Sequence, residues 1–237
     1  MTNNEEEVII PIDQITDFPN HPYKVKNDEK MQSMVQSVKE MGVIYPVIVR
    51  KKDNGKYEMI SGHRRKMASV LAGKKEIKCI VKNLTDDEAT ILMVDSNIQR
   101  EEILPSEKAY SYKMKLDAIK HQGRKIEETS NQLGGKNNES AQLLGEDQGD
   151  SGTQVRRYIR LTKLIPEILE KVDEKRIAFN PAVEISYLTQ EEQTKLYDAM
   201  ECNDATPSLG QAIHLKKLSQ AISFYNKYLK QRKREAR

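Results

Sequence analysis

The chain has 237 residues, which at about 150 residues per domain makes one large domain or two small ones, enough to bury a sizeable core. Hydrophobic residues make up a lean 37% and charged residues a rich 32% against a usual value of about 25%, a composition of small modules with much exposed surface. A net charge of +3 is too small for whole-molecule attraction to nucleic acid, so any basic site has to be local.

The chain opens Met1-Thr2-Asn3-Asn4-Glu5-Glu6-Glu7, acidic where a secretion leader is basic and then apolar. Its two cysteines, Cys79 and Cys202, are far apart, which points to a reduced cytosolic interior rather than a disulfide framework. The greasiest stretch, Val43 to Val49, contains Pro46 and falls well short of the roughly 18 apolar residues of a membrane span. Met31, Met34, Val35, Val38 and Met41 repeat at helical spacing before Gly42, so a helix is expected over Asp28 to Met41. Tyr45 to Arg50 and Tyr57 to Ile60 flank Asp53-Asn54-Gly55 and read as a β-hairpin. Ile77 to Val81 is a further strand. After it, Thr85-Asp86-Asp87-Glu88 has the spacing at which a Thr hydroxyl and a Glu carboxylate cap a helix reciprocally, here one running to about Asp95.

Pro105 opens the next helix, with Ala109, Tyr112, Leu116 and Ile119 as its buried stripe. From Thr129 to Ser140 the composition turns polar and glycine-bearing, a linker that cannot bury enough apolar surface to order itself. Beyond it the chain reads as all-helical: Leu161, Leu164, Ile165, Ile168, Leu169 and Val172 fall at helical intervals, Pro181 opens a short helix, and Thr189 to Glu192 repeat the capping box. Between Gly210 and Arg237 eight lysines and arginines face one glutamate, and Leu218, Ile222, Tyr225 and Leu229 draw one apolar stripe: a short dimer helix, or a helix docked on its own protein with a solvated basic tail.

Three stretches carry polar groups suited to chemistry. In Tyr57 to Ala68 a strand runs through Gly62 into a helix, which aims free N–H groups at one point beside Arg64 and Arg65; this is either a phosphate cradle or an ordinary strand-to-helix turn with solvated arginines. In Asp95 to Ala109, a helix break, Asn97 and Asp95 are hard oxygen donors for magnesium and Arg100 suits a phosphate oxygen, against the alternative of a loop in which Asn97 caps and Arg100 pairs with Glu101 or Glu102. In Ser140 to Leu161, Gly145, Gly149 and Val155 take the small, turn and apolar positions of a helix-turn-helix, although Gln148 and Asp150 stand where apolar residues are usual. With Val155, Tyr158 and Ile159 inward, Thr153, Gln154, Arg156, Arg157 and Arg160 face outward, a set suited to base edges and phosphates in a major groove; a plain helical hairpin with an exposed arginine face is the alternative.

Taken in this order, the blocks resemble the ParB family of partition and nucleoid-associated proteins over roughly Val8 to Leu188. Gly42-Val43-Ile44-Tyr45-Pro46-Val47-Ile48-Val49-Arg50 is similar to the family's first box, Ser61-Gly62-His63-Arg64-Arg65 to its arginine box, and Ser96-Asn97-Ile98-Gln99-Arg100 with Leu104-Pro105-Ser106-Glu107-Lys108-Ala109 to its second phosphate box. The resemblance implies an α+β N-terminal nucleotide-binding domain over residues 1–104, a connecting helix over 105–128, a polar linker over 129–139, an all-α helix-turn-helix DNA-binding domain over 140–207, and an amphipathic helix with a basic tail over 208–237. It implies that Gly62, His63, Arg64, Arg65, Asn97 and Arg100 hold CTP, with Asn97 and in second place Asp95 on magnesium. It further implies a homodimer in the nucleoid-bearing cytoplasm that clamps palindromic double-stranded DNA and works with a ParA-type ATPase. His63, Met67 and Ser96 stand where the family carries glutamate, arginine and glutamate, so CTP binding with at most weak hydrolysis is the expectation.

Two other readings share these residues. A transcriptional repressor with an empty, degenerate pocket would fit Met67 and Ser96. A nucleotide-dependent phosphotransferase would fit because the same N-terminal fold resembles certain small-molecule kinases; its likeness to sulfiredoxins leads nowhere, since Gly62 stands where their nucleophilic cysteine precedes the His-Arg pair.

Overall fold

The computed structural model describes residues 7–98, 103–129, 141, 144–145 and 149–235. Its elements are β1 (Glu7–Pro11), β2 (Ile15–Thr16), α1 (Glu29–Met41), β3 (Val47–Lys51), β4 (Tyr57–Ser61), α2 (His63–Leu71), β5 (Glu76–Lys82), α3 (Asp86–Ile98), α4 (Pro105–Thr129), α5 (Gly152–Leu161), α6 (Pro166–Asp173), α7 (Phe179–Ile185), α8 (Gln190–Asn203) and α9 (Leu209–Glu235). The chain divides into two compact units, Met1–Ile103 with Lys113–Ser140, and Leu104–Tyr112 with Ala141–Arg237, so α4 begins in the second and ends in the first.

The first unit is an α+β domain on a five-stranded mixed sheet in the order β1-β5-β3-β4-β2. β3 lies at its centre, parallel to β5 and antiparallel to β4. A strand paired on both edges favours branched apolar residues, and Val47 and Val49 are fully buried with Met59, Ile77 and Cys79 in one cluster. Met31, Val35 and Val38 of α1 meet Ala68 of α2 in a second. Burying one such side chain is worth about 1.5–3 kcal/mol.

The hairpin, β5 and α1 stand where the sequence places them, α1 capped by Asp28, which accepts from the Met31 N–H. In the hairpin turn Lys52 N–H bonds the Lys56 carbonyl across a three-residue loop, and only Gly55, not Asn54, takes the left-handed conformation. The Thr85–Glu88 box forms reciprocally. One expectation changes, and two details that the sequence left open are added. The α3 helix continues to Ile98, so Asp95, Ser96 and Asn97 lie on its last turn rather than in a helix break. The helical run through Val172 is two helices, because Pro166 starts α6 after the end of α5. β1 and β2, unread in the sequence, complete the sheet.

The second unit is helical. Leu161, Ile168, Ile177, Ala182 and Ile185 share its core, joined by Ala109 from the start of α4. Gln193, fully buried, is satisfied by bonds to Ile165 N–H and to the Lys163 and Leu188 carbonyls. The linker expected over 129–139 falls, past Thr129, outside the described residues.

Candidate functional site

In the first unit β4 ends at Ser61, paired with Ile48 of β3, and the chain turns directly into α2. Gly62 makes that turn with φ 109° and ψ 20°, and a Cβ there would stand 2.5 Å from Val47 Cγ1. Only glycine combines this backbone conformation with so close an approach to β3. The first intrahelical bond runs from Lys66 N–H to the Gly62 carbonyl, so the N–H groups of the preceding turn point out of the helix, where its dipole favours an anion.

The flanking cations are held in fixed positions. Arg65 Nη1 donates to the Tyr45 and Pro46 carbonyls, each at 2.7 Å, and burial lowers its pKa. Both acceptors are neutral, so the guanidinium tethers the loop before β3 without losing its charge to a carboxylate. Arg64 is spent differently, on Asp28 at 3.0 Å. That hydrogen bond, with the one from Met31 N–H, holds the Asp28 carboxyl below the usual aspartate range and ties the start of α1 to the start of α2. His63 is buried with its ring 3.8 Å from that of His21.

Asn97, 6% exposed, donates from Nδ2 to the Met93 carbonyl at 2.8 Å and to Ser96 Oγ at 3.2 Å. Asp95 pairs with Lys115 Nζ at 2.6 Å. Arg100 lies outside the described residues. The described residues hold no group of three or more His, Cys, Asp or Glu able to seat a metal ion, and the Asn97 carboxamide oxygen is the kind of hard donor that suits magnesium. Of the predicted site residues, Gly62, His63, Arg64 and Arg65 thus stand together at the start of α2, and Asp95 and Asn97 on the last turn of α3.

In the second unit Ser151 caps α5, accepting from Gln154 N–H at 3.1 Å. A Cβ on Gly145 would collide with the Asp150 carbonyl oxygen, and Asp150 N–H donates to the Gly145 carbonyl at 2.9 Å, so a residue with no side chain is required where the two segments cross. Thr153 and Arg156 are exposed on the first turns of α5, bonded to each other at 3.2 Å, with Gln154 half-buried between them. Arg157 Nη2 donates to Asn180 Oδ1 at 2.6 Å and its guanidinium lies over Phe179. Arg160 turns toward α7 instead: it donates to Ser186 Oγ and to the Ser186 carbonyl and stacks 4.0 Å from the Tyr187 ring centroid.

Several partners escape local spacing: Asp28, the Tyr45 and Pro46 carbonyls, and Asp150, which accepts from Tyr112 and Lys108. Asp150 alone left a signal, as a carboxylate at a position where the helix-turn-helix pattern favours an apolar residue.

The fold defines a two-unit protein: an α+β domain whose strand-to-helix turn is flanked by arginines, and a helical unit whose α5 carries Arg156, Arg157 and Arg160. Residues 1–98 match the family model of the ParB N-terminal domain. The chain is 30% identical over 186 residues to the chromosome-partitioning protein Spo0J of Thermus thermophilus, covering 78% of this chain and 62% of that protein. It is 33% identical over 174 residues to a nucleoid occlusion protein of Lysinibacillus sphaericus, covering 73% and 52%. A solved Pnob8-like ParB N-domain shares the fold with a TM-score of 0.54 at 18% identity, covering 93% of this chain and 96% of its own. The chain belongs to the ParB family, and it spans between about half and two thirds of the length of the curated relatives named here.

Proposed function

We propose that the chain is a sequence-reading DNA-binding protein of the ParB type whose N-terminal domain binds CTP with magnesium and thereby changes how the helical unit holds duplex DNA. The observation that carries the DNA reading is α5: a Ser151-capped helix behind a glycine-packed turn, presenting Thr153, Gln154, Arg156 and Arg157 at and after its N-terminus. In the helix-turn-helix expected over Ser140 to Leu161, the N-terminal residues of the second helix are the ones that enter a major groove. The likeness to the partitioning protein, over 186 residues, is longer than the 1–98 match of the N-terminal domain and so reaches the helical unit.

In this reading the N–H groups at the start of α2 and the guanidinium of Arg65 receive the triphosphate, Gly62 gives it access to the backbone, and Asn97 donates an oxygen to magnesium. His63, buried against His21, and Arg100 are the remaining nucleotide-binding residues of this reading. Asp95 already neutralises Lys115, which leaves Asn97 the better donor. Magnesium would neutralise phosphate charge, and turnover of CTP is at most slow. Two copies pair through the exposed stripe of Leu218, Ile222 and Tyr225 on α9, and the DNA site is palindromic to match. A ParA-type ATPase and a nucleoid location in the cytoplasm complete the proposal; no helix among the described residues is long and apolar enough to cross a membrane.

A second reading, a repressor with an empty pocket, is favoured by the Arg64–Asp28 ion pair, which already occupies one of the two flanking cations. Selection of duplexes from a random-sequence pool, with and without CTP and magnesium, separates the two. The proposal expects a palindromic consensus whose retention changes with CTP, and a loss of discrimination of about 1–3 kcal/mol at one base position in Arg157→Ala. A consensus indifferent to CTP supports the repressor, and no consensus at all removes both.

A further inference from the structure

Asp150 immediately precedes the cap of α5, and one of its oxygens, Oδ2, accepts from the Tyr112 hydroxyl at 2.6 Å and from Lys108 Nζ at 2.7 Å. Both donors stand on one face of α4, four residues apart. The same ammonium lies 4.7 Å from the ring centroid of Tyr158 in α5. Tyr112 meets Tyr158 edge-on at 5.9 Å, Tyr158 packs on Phe179 at 4.7 Å, and the Phe179 ring carries the Arg157 guanidinium at 5.1 Å. An unbroken run of contacts therefore leads from the carboxylate to the arginine placed at the DNA surface.

An apolar residue at position 150 would fill the turn without the cost of desolvating a charge. What a carboxylate adds is direction. Two charge-assisted or short hydrogen bonds converging on one oxygen fix the angle at which α5 leaves the turn, whereas apolar contact alone lets a helix roll. The aromatic contacts carry that angle to Arg157, whose bidentate reading of a base tolerates little displacement.

We propose that Asp150, engaged by Tyr112 and Lys108, is a positioning residue for sequence recognition: it sets the pitch of α5 and the placement of the Arg157 guanidinium. The proposal rests on the reading of α5 as the DNA-facing helix. Tyr112 and Lys108 become, through it, determinants of specificity that never touch the duplex.

The test titrates the full chain, Tyr112→Phe, Asp150→Ala and the double variant against two duplexes: the one selected by the wild-type chain from a random pool, and a shuffled duplex of the same composition. Each single substitution is expected to lower the ratio of the two affinities about tenfold while affinity for the shuffled duplex holds. The double variant loses no more than the worse single one, because both remove the same bond. A change that only reduced the folded fraction would weaken both duplexes alike and leave the ratio intact. Tyr112→Phe keeps the ring and its packing, so a folded variant is at hand even where Asp150→Ala unfolds. An unchanged ratio in folded Tyr112→Phe overturns the proposal, as do additive losses in the double variant. A wild-type chain that selects no sequence overturns the DNA reading beneath it, and this proposal with it.

Discussion

Gly62 shows how much of the cradle one residue decides. A side chain there meets two penalties at once, a left-handed backbone and a collision with Val47 at the centre of the sheet. Gly62→Ala should cost on the order of 1–3 kcal/mol of stability and weaken the proposed CTP binding together, read by thermal melting and calorimetry on the same preparation. A variant as stable as the parent and equally avid would show that the turn is not under this constraint. The sequence revealed Gly62, Arg64 and Arg65 because strand, glycine and helix follow one another along the chain. It did not reveal what Arg64 and Arg65 hold, since Asp28 and the Tyr45 and Pro46 carbonyls are brought to them only by folding. Arg160 teaches the same lesson from the other side: helical periodicity turns it away from the core, but its long stem carries the guanidinium back onto Ser186 and Tyr187.

At the scale of elements, ion pairs fasten helix starts to their neighbours in the first unit. Arg64 on α2 holds the Asp28 cap of α1, and Arg50 on β3 holds Asp86 at the start of α3 at 2.6 Å. Both carboxyls are held below the usual aspartate value of about 4, each chiefly by its arginine's hydrogen bond. Their contribution to stability is therefore whole above the unfolded-state value and is lost as pH falls through the lower folded-state values. The melting temperature should drop between pH 5 and pH 2 by less in Asp28→Asn than in the parent, since asparagine keeps the cap on Met31 but carries no titrating charge. Equal drops would mean that the pair contributes nothing. Hairpin, capping boxes and α1 were legible because each is a local pattern. β1 and β2 were not, being short and without alternation. The end of α3 misled because Ser96 and Asn97 look like loop residues, while in the helix both bond back to the Met93 carbonyl.

For the whole molecule, a net charge of +3 conceals how unevenly the charge is spread: eight basic residues and one acidic residue lie between Gly210 and Arg237, and a separate arginine group lies on α5. Both could draw DNA, but only α5 could read it, since a solvated basic tail contacts phosphates whatever the sequence. The order of motifs made the two-part organisation legible. The sharing of α4 between the two units was not, because a continuous helical pattern gives no sign of where its partners change. Hydrogen exchange of the full chain, with and without its selected duplex, tests the central claim most directly. New protection is expected to concentrate on the first turns of α5, from Gly152 to Arg157. Protection confined to α9, with α5 unchanged, would contradict it.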